Sequence, residues 1–354
     1  LHLQRVPAHA VVHDAVQLAT DKRGKRIGGF VNAILRKVAL ERPDDAAPPS
    51  FLSVPNWLHD ALVESIGLEH VERLLRIDLD APSIDLRVRA GTDRETLAQA
   101  ILEGRPQASV VPTELSPMGL RVAGVGNPRE LPGYAEGLFA VQEEGAQVIG
   151  LALGAQPGES VLDVCAGRGG KTAQLVEAVG DSGTVIASDL HEHRLEQIPG
   201  ELRRLRIDPG RLDSACIDWT LGPGPLQGEF DRVLVDAPCT GLGTLRRRPE
   251  ILLRVSPEDA ARMGEIQRRI LHNAAGMVRT GGSLLYAVCS PLADEGEQVV
   301  RETSLPGFEP VEELGSTLKS LCFESSGELS LGPWLAGAGP WADAYQLYMW
   351  VNVG

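Results

Sequence analysis

The stretch Ser160-Val161-Leu162-Asp163-Val164-Cys165-Ala166-Gly167-Arg168-Gly169-Gly170-Lys171-Thr172 decides how the chain is read. It opens on a short apolar run suited to a buried strand, bends through three glycines, and passes into a segment with helical spacing. Glycine lets the backbone approach a ligand closely, and a helix starting there offers unpaired N–H groups to it. A nicotinamide dinucleotide would want a third small residue closing a G-x-G-x-x-G, but after Gly167 and Gly169 that place holds Thr172. Asp189 strengthens a nucleoside-like reading, because an acidic side chain about 20 residues further on, at the end of the second strand, can take both ribose hydroxyls. The plainer alternative is that these glycines only make a tight strand-to-helix turn.

Around this stretch strands and helices alternate, which predicts an α/β fold with a mostly parallel sheet wrapped on both faces. Strands are expected at 160–164, 184–188, 213–217, 232–235 and 283–288, and helices at 171–179, 192–205 and 257–278. Asp163 with Cys165, Asp189, Asp218, Asp236 with Cys239, and Cys289 stand at the strand ends. In open α/β sheets the ligand crevice lies there, so these scattered residues should converge on one site. Pro238 and two glycines after Asp236 predict a rigid loop that projects Asp236 and Cys239, and Cys289-Ser290 ends the fifth strand. A lone cysteine after an apolar strand is usually a small buried hydrophobe; two facing one crevice point to chemistry.

Upstream, 9–20 and 28–40 read as paired helices around a basic turn, and Pro43, Pro48 and Pro49 mark a linker. Two helices make a poor core and the chain starts at Leu1, so a longer N-terminal bundle is expected to have been cut or lost. Residues 51–140 mix helices at 57–66 and 94–103 with strands at 85–89 and 119–122, a small α+β module. The segment Leu131–Gln147 should run through a turn at Pro132 and Gly133 into a helix that ends before Pro157.

With 354 residues and 43% hydrophobic content the chain has room for about two ordinary domains with real cores. No apolar run approaches the roughly 20 residues that cross a bilayer, and no signal peptide is recognisable, so a cytoplasmic protein without a membrane partner is expected. Cys165, Cys216, Cys239, Cys289 and Cys322 are an odd number without regular spacing, which suggests neither a disulfide framework nor a metal site. A net charge of -14 argues against indiscriminate nucleic-acid binding, so any RNA contact must be local. Three basic runs offer it: Lys22, Arg23, Lys25 and Arg26; Arg203, Arg204, Arg206 and Arg211; and Arg246, Arg247 and Arg248. Each could equally be a solvated face.

These residues resemble the RsmB/Sun type of RNA cytosine-5 methyltransferases. Cys165 to Thr172 is similar to that family's CAAPGGKT, Asp236 to Gly243 to its DAPCSGxG, Arg247 to Glu250 to its RxxPD, and Cys289-Ser290 to its TCS. Leu131-Pro-Gly-Tyr-Ala-Glu-Gly-Leu-Phe-Ala-Val-Gln-Glu-Glu144 resembles the approach to the cofactor domain, and Gly28-Gly-Phe-Val-Asn-Ala-Ile-Leu-Arg36 the back half of a NusB-like helical domain. The resemblance implies a Rossmann-like class I methyltransferase domain at 141–354. An RRM-like RNA-binding module is implied at 51–140 and a truncated NusB-like segment at 1–42. It also implies S-adenosylmethionine as cofactor and RNA, ribosomal RNA above all, as substrate; nothing in the chain demands a partner subunit, so a monomer is expected.

By the same resemblance Cys289 attacks cytosine carbon-6, Cys239 assists the elimination that frees the product, Asp236 holds the pyrimidine edge and Lys171 supports that pocket. The loop Cys165, Ala166, Gly167, Arg168, Gly169, Gly170 and Lys171 would carry the methionine end of the cofactor. Asp189 would take the ribose and Asp218 the adenine edge, with Arg194 near them and Asp236 beside the cofactor. The base must be unstacked to reach these groups. Several positions depart from the pattern. Gly167-Arg168 stands for Ala-Pro, Val288 for a Thr, Glu295-Gly-Glu297 for Glu-Asn-Glu, and Asp343-Ala-Tyr-Gln346 for Asp-Gly-Phe-Phe, although 343–350 still reads as a last alternating strand. Competing readings are Cys239 as nucleophile, a non-RNA pyrimidine or protein substrate, and an inactive relative that binds RNA or a ribosomal partner.

Overall fold

The computed structural model describes residues 8–40, 51–76, 83–311, 328–333 and 342–354; the linker prolines Pro43, Pro48 and Pro49, and Cys322, lie outside the described residues. The chain divides into two compact units, Leu1–Ser50 and Phe51–Gly354. In the first, α1 (Ala8–Arg23) turns into α2 (Lys25–Leu40) through Gly24, whose φ of +84 suits glycine. Gly28 lets the helices close up, since a Cβ there would lie 1.9 Å from Thr20 Oγ1.

The second unit opens with α3 (Asn56–Ile66) and α4 (Leu68–Leu75), which bury Leu58, Leu62, Val71 and Leu74 against Leu242, Leu245 and Leu292. Next, β1 (Ile84–Val88), α5 (Arg94–Gly104), β2 (Ser109–Pro112), β3 (Gly119–Ala123) and β4 (Phe139–Val141) follow. Their four strands form an antiparallel sheet in the order β2-β3-β1-β4. Leu97 and Ile101 of α5 pack on Leu86, Val88, Leu120, Val122 and Phe139 of that sheet. The sequence reading ran from Pro132-Gly133 directly into a helix and missed β4, because three residues show no period.

The remaining elements are α6 (Glu144–Ala152), β5 (Ser160–Asp163), α7 (Gly170–Val179), β6 (Thr184–Asp189), α8 (Glu192–Leu195), α9 (Ile198–Arg204), β7 (Leu212–Cys216), β8 (Phe230–Asp236), α10 (Pro257–Ala275), β9 (Val278–Val288), α11 (Glu297–Glu302), β10 (Phe308–Pro310), β11 (Glu328–Leu331) and β12 (Tyr345–Asn352). The large sheet runs β10-β12-β9-β8-β5-β6-β7, with β11 on β12. Strands β5 to β9 are mutually parallel and β12 returns antiparallel on β9. Chain order reverses at β5, between β6 and β8, which opens a crevice at the carboxyl ends of those strands.

Three expectations are corrected. The helix predicted over 192–205 is two short helices, because Pro199 supplies no N–H and sits instead in the first turn of α9. The helix from Pro257 ends at Ala275, and Val278 already belongs to β9. The last strand, expected over 343–350, runs Tyr345–Asn352 and alternates between two cores: Leu347 and Met349 enter one cluster while Tyr348 and Trp350 enter the other. Both faces of the sheet are covered, as parallel sheets require. No helix among the described residues is long and apolar enough to cross a membrane.

The small sheet is tied to the large one by buried charge. Arg87, 1% exposed, donates to Gln142 Oε1 at 2.8 Å and to Glu177 Oε2 on α7 at 2.6 Å, and Glu177 Oε1 accepts from Ala90 N at 2.7 Å. Arg121 donates to Asp85 at 3.0 Å and Glu144 at 2.7 Å. Arg204 is likewise structural: it donates to the Tyr134 and Phe139 carbonyls at 2.8 and 2.9 Å and stacks 4.1 Å over the Tyr134 ring. Removing one member of a buried pair strands the other, so Arg87→Leu should lower the unfolding free energy by about 3 kcal/mol. The double variant Arg87→Leu/Glu177→Leu should lose less. Urea denaturation of the two variants checks this, and equal losses would contradict the pairing.

Candidate active site

The crevice is built by the loop that leaves β5. Gly167 (φ +57) donates its N–H to Asp189 Oδ2 at 2.9 Å. Gly169 (φ +81) leads into α7 where a Cβ would lie 2.6 Å from Ile198 Cγ2, so both its φ and its contact call for glycine. The other Asp189 oxygen accepts from His191 N at 2.8 Å and lies 3.6 Å from Arg194 Nη1. A cavity of about 290 Å³ opens here, lined by Cys165, Gly167, Asp189, Arg194, Asp218, Trp219 and Asp236, with Ile217, Ile266 and Ile270 as an apolar wall. The Trp219 indole is buried and donates to Ser188 Oγ at 2.8 Å, which fixes its ring.

Of the residues expected at the cofactor, Ala166, Arg168, Gly169, Gly170 and Lys171 do not line this cavity. Arg168 and Gly170 are exposed, Ala166 donates its N–H to Ser188 O at 2.8 Å, and Gly169 is buried in the turn. Asp218 lines the rim, but its Oδ1 already accepts from Thr220 N and Oγ1 at 3.0 and 2.6 Å. Cys165 lies in the wall, and burial pushes its thiol well above the usual range, so it stays neutral. Asp163, Ser188 and Trp219 belong to the same corner, although only Asp163 was noted in the sequence, as a strand-end residue. Asp163 Oδ2 accepts from Thr172 Oγ1 at 2.7 Å while its buried Oδ1 has no partner. Burial, reinforced by Asp236 and Asp189, lifts its pKa to about 7.

Lys171 turns instead to Asp236, with Nζ 2.6 Å from Oδ2. Burial alone would lower the Lys171 pKa, but the Asp236 carboxylate outweighs it, so the ammonium remains charged. Beside this pair the Cys239 and Cys289 sulfurs lie 3.1 Å apart. Cys289 is a near neighbour of Lys171, and Cys239 of Glu295. The Cys239 thiol is pushed well up, first by its hydrogen bond with Cys289, then by burial.

Both thiol loops are held from behind. Glu295, fully buried, accepts from Thr240 N at 2.7 Å, Thr240 Oγ1 at 2.5 Å and Gln267 Nε2 at 3.3 Å, and Gln267 also donates to Pro238 O at 2.9 Å. Gly243 donates to Cys289 O at 3.0 Å and accepts from Ala344 N at 2.9 Å; a Cβ there would lie 2.0 Å from Ala344 O. Arg247 is bound to Asp343, which removes it from the basic run proposed for RNA, while Arg248 is exposed. Glu143 accepts from the Tyr345 hydroxyl at 3.0 Å, and burial, with Asp343 nearby, raises its pKa to about 7. Sequence reasoning missed Glu295, Gln267 and Gln346 as site residues; Glu295 was visible only as part of an altered motif. Cys165, Cys216, Cys239 and Cys289 are free thiols, and the described residues hold no group of three or more His, Cys, Asp or Glu that could bind a metal.

Residues 150–309 match the family model described as 16S rRNA methyltransferase RsmB/F, and residues 1–40 match the NusB family. The chain is 35% identical over 309 residues to ribosomal RNA small subunit methyltransferase B of Vibrio cholerae, covering 85% of this chain and 69% of that protein. It is 32% identical over 327 residues to the Bacillus subtilis protein named probable ribosomal RNA small subunit methyltransferase B, covering 87% and 71%. Among solved structures, NSun6 from Pyrococcus horikoshii with SFG shares the fold, with a TM-score of 0.70 at 17% identity over 85% of this chain and 98% of that one. PH0851 does so at 0.79 and 24% identity, over 97% and 77%. With a matching family model over the crevice and relatives above 30% identity along most of its length, the chain belongs to the RsmB/F family of 16S rRNA methyltransferases.

Proposed function

We propose that this chain transfers a methyl group from S-adenosylmethionine to carbon-5 of cytosine in ribosomal RNA, with Cys289 as nucleophile. The observation that carries the assignment is the pair of sulfurs 3.1 Å apart, of which Cys239 is pushed well up by its hydrogen bond with the other and by burial. A thiolate is the attacking form, and it is favoured beside an ammonium and disfavoured beside a carboxylate. Cys289 lies near the charged Lys171; Cys239 lies near Glu295 and keeps its proton, held first by its hydrogen bond with Cys289 and then by burial. The relatives' names support ribosomal RNA as the substrate, and the fold neighbour solved with SFG, an analogue of S-adenosylmethionine, supports the cofactor.

The cavity fits that cofactor chemically. Asp189 offers carboxylate oxygens to a ribose, and Trp219, Ile266 and Ile270 offer apolar surface to a purine beside Asp218 and Arg194. Behind the lining residue Val164, the partnerless buried Oδ1 of Asp163 is the acceptor we assign to an ammonium group. The loop Gly167–Gly170 would carry the methionine end. Bound S-adenosylmethionine supplies a methyl carbon made electrophilic by its sulfonium.

The protein does the rest. Cys289 Sγ bonds to carbon-6 of the unstacked cytosine, and the carbon-5 to carbon-6 π pair makes carbon-5 nucleophilic toward the methyl. Asp236, fixed by Lys171, holds the pyrimidine edge during attack. The carbon-5 proton then passes to solvent, its bonding pair re-forms the carbon-5 to carbon-6 double bond, and the sulfur to carbon-6 pair leaves on Cys289 Sγ, with Cys239 assisting this elimination.

Cys289→Ala should lower methyl transfer to unmodified ribosomal RNA by roughly a thousandfold or more. Cys239→Ala should instead accumulate a covalent protein–RNA adduct without turnover. Radiolabelled transfer with nucleoside analysis, and denaturing gels for the adduct, check both; an adduct formed by Cys289→Ala and not by Cys239→Ala would reverse the assignment.

Asp163 sets a pH dependence. Its folded pKa of about 7 lies above the unfolded value of 3.8. The stability it contributes is therefore full below about 4 and is lost as pH rises through about 7. Cofactor binding has the opposite slope, because the ionised carboxylate attracts an ammonium. Calorimetric titration should show tighter S-adenosylmethionine binding as pH rises through about 7. Asp163→Asn should flatten both profiles, and an unchanged binding profile would remove Asp163 from the cofactor site.

A further inference from the structure

Two of the departures from the family pattern, Gly296 where an Asn is usual and Gln346 in place of the second Phe of Asp-Gly-Phe-Phe, meet in space. A Cβ on Gly296 would lie 2.0 Å from Gln346 Oε1 and 2.6 Å from Nε2, so the glutamine amide fills the volume that a side chain at 296 would occupy. Gln346 is buried, and its amide is fully used. Nε2 donates to Ser290 O at 2.8 Å and to Leu292 O at 3.0 Å, while Oε1 accepts from the Tyr348 hydroxyl at 3.1 Å. Both amide protons are thus spent on the turn that follows Cys289. That turn contains Pro291, which has no N–H to brace it, and Leu292 N reaches only Ser290 Oγ at 3.3 Å. The neighbouring Glu295 holds the Cys239 loop through Thr240, so residues 295 and 296 sit behind both sulfurs.

We propose that Gln346 is a positioning residue whose amide, occupying the space left by Gly296, fixes the Ser290–Leu292 turn and thereby holds Cys289 against Cys239. The proposal rests on Cys289 being the nucleophile. An amide carried at 296 would fall in the same volume, so the pair Gly296/Gln346 delivers from β12 the hydrogen bonds that an asparagine on the other side of the gap is placed to deliver. Neither position can be exchanged alone. Asparagine at 296 collides with the glutamine, and phenylalanine at 346 takes the donor from Ser290 O and leaves Leu292 O with Glu295 N alone, at 3.1 Å.

The test uses Gln346→Phe, Gly296→Asn and the double variant, read by the single-turnover rate of covalent adduct formation on ribosomal RNA carrying 5-fluorocytidine, which blocks release. KM for RNA and thermal midpoints are measured in parallel. Displacement of a nucleophile by an ångström costs up to a hundredfold, so Gln346→Phe should slow adduct formation roughly tenfold with KM nearly unchanged. Gly296→Asn alone should also be slow, and the double variant should recover to within about threefold of the parent. If Gln346→Phe does not fold, Gln346→Leu keeps the bulk, removes the amide and carries the same expectation. Adduct formation at the parental rate by a folded Gln346 variant, or a double variant slower than both singles, overturns the proposal. If the parent itself forms no adduct that depends on Cys289, the nucleophile assignment fails and this proposal falls with it; a Cys289-dependent parent with an indifferent Gln346 sinks this proposal alone.

Discussion

Everything at the site depends on the register between β8 and β9, two parallel strands paired Asp236 to Ala287. The pairing continues past the strand ends, where Ala237 N donates to Ala287 O at 2.8 Å and Gly243 N to Cys289 O at 3.0 Å. The two loops therefore leave the sheet in step, and their thiols arrive 3.1 Å apart. A slip of one residue would invert the faces, sending Tyr286 and Val288 into the cluster now filled by Leu285 and Ala287. Because both faces of the sheet are packed, such a slip has no cheap accommodation, and the register is as fixed as the core itself.

Charge is then distributed around that fixed geometry. Asp163, Asp189 and Asp236 gather at the carboxyl ends of three neighbouring strands, and Lys171 is the cation that offsets them where the thiols stand. Elsewhere arginine is spent on architecture. Arg87, Arg121, Arg204 and Arg247 are tied to carboxylates or carbonyls, while Arg203, Arg206, Arg247 and Arg248 are exposed in their basic runs. An acidic chain can thus present local positive charge without a basic surface overall.

Much of this was legible in the sequence. Period and punctuation gave the parallel strands and most helices, and the strand-end rule gathered Asp189, Asp236, Cys239 and Cys289 before any coordinates did. What escaped were properties of contact. Asp218 lines the cavity, and the capping of its own turn by Oδ1 through Thr220 was not visible in the sequence. Arg204 looked like surface charge because it lies in a basic run, yet it is half-buried and stacked over Tyr134. Glu295 and Gln346 showed only as members of altered motifs, since their partners Thr240 and Ser290 are 55 and 56 residues away. β4 failed for a different reason, being shorter than two periods of the pattern that would reveal it.

The buried pair of Arg87 and Glu177 has a thermodynamic side. Glu177 lies near the end of α7, the helix whose first turn carries Lys171, so one ten-residue helix is anchored at one end by the small sheet and at the other by the catalytic crevice. Opening the small sheet would leave Glu177 without its partner, and freeing Glu177 would loosen the helix that orients Lys171. Both sheets lie in one compact unit and lean on this helix, so a loss of anchoring at either end is carried to the other through α7.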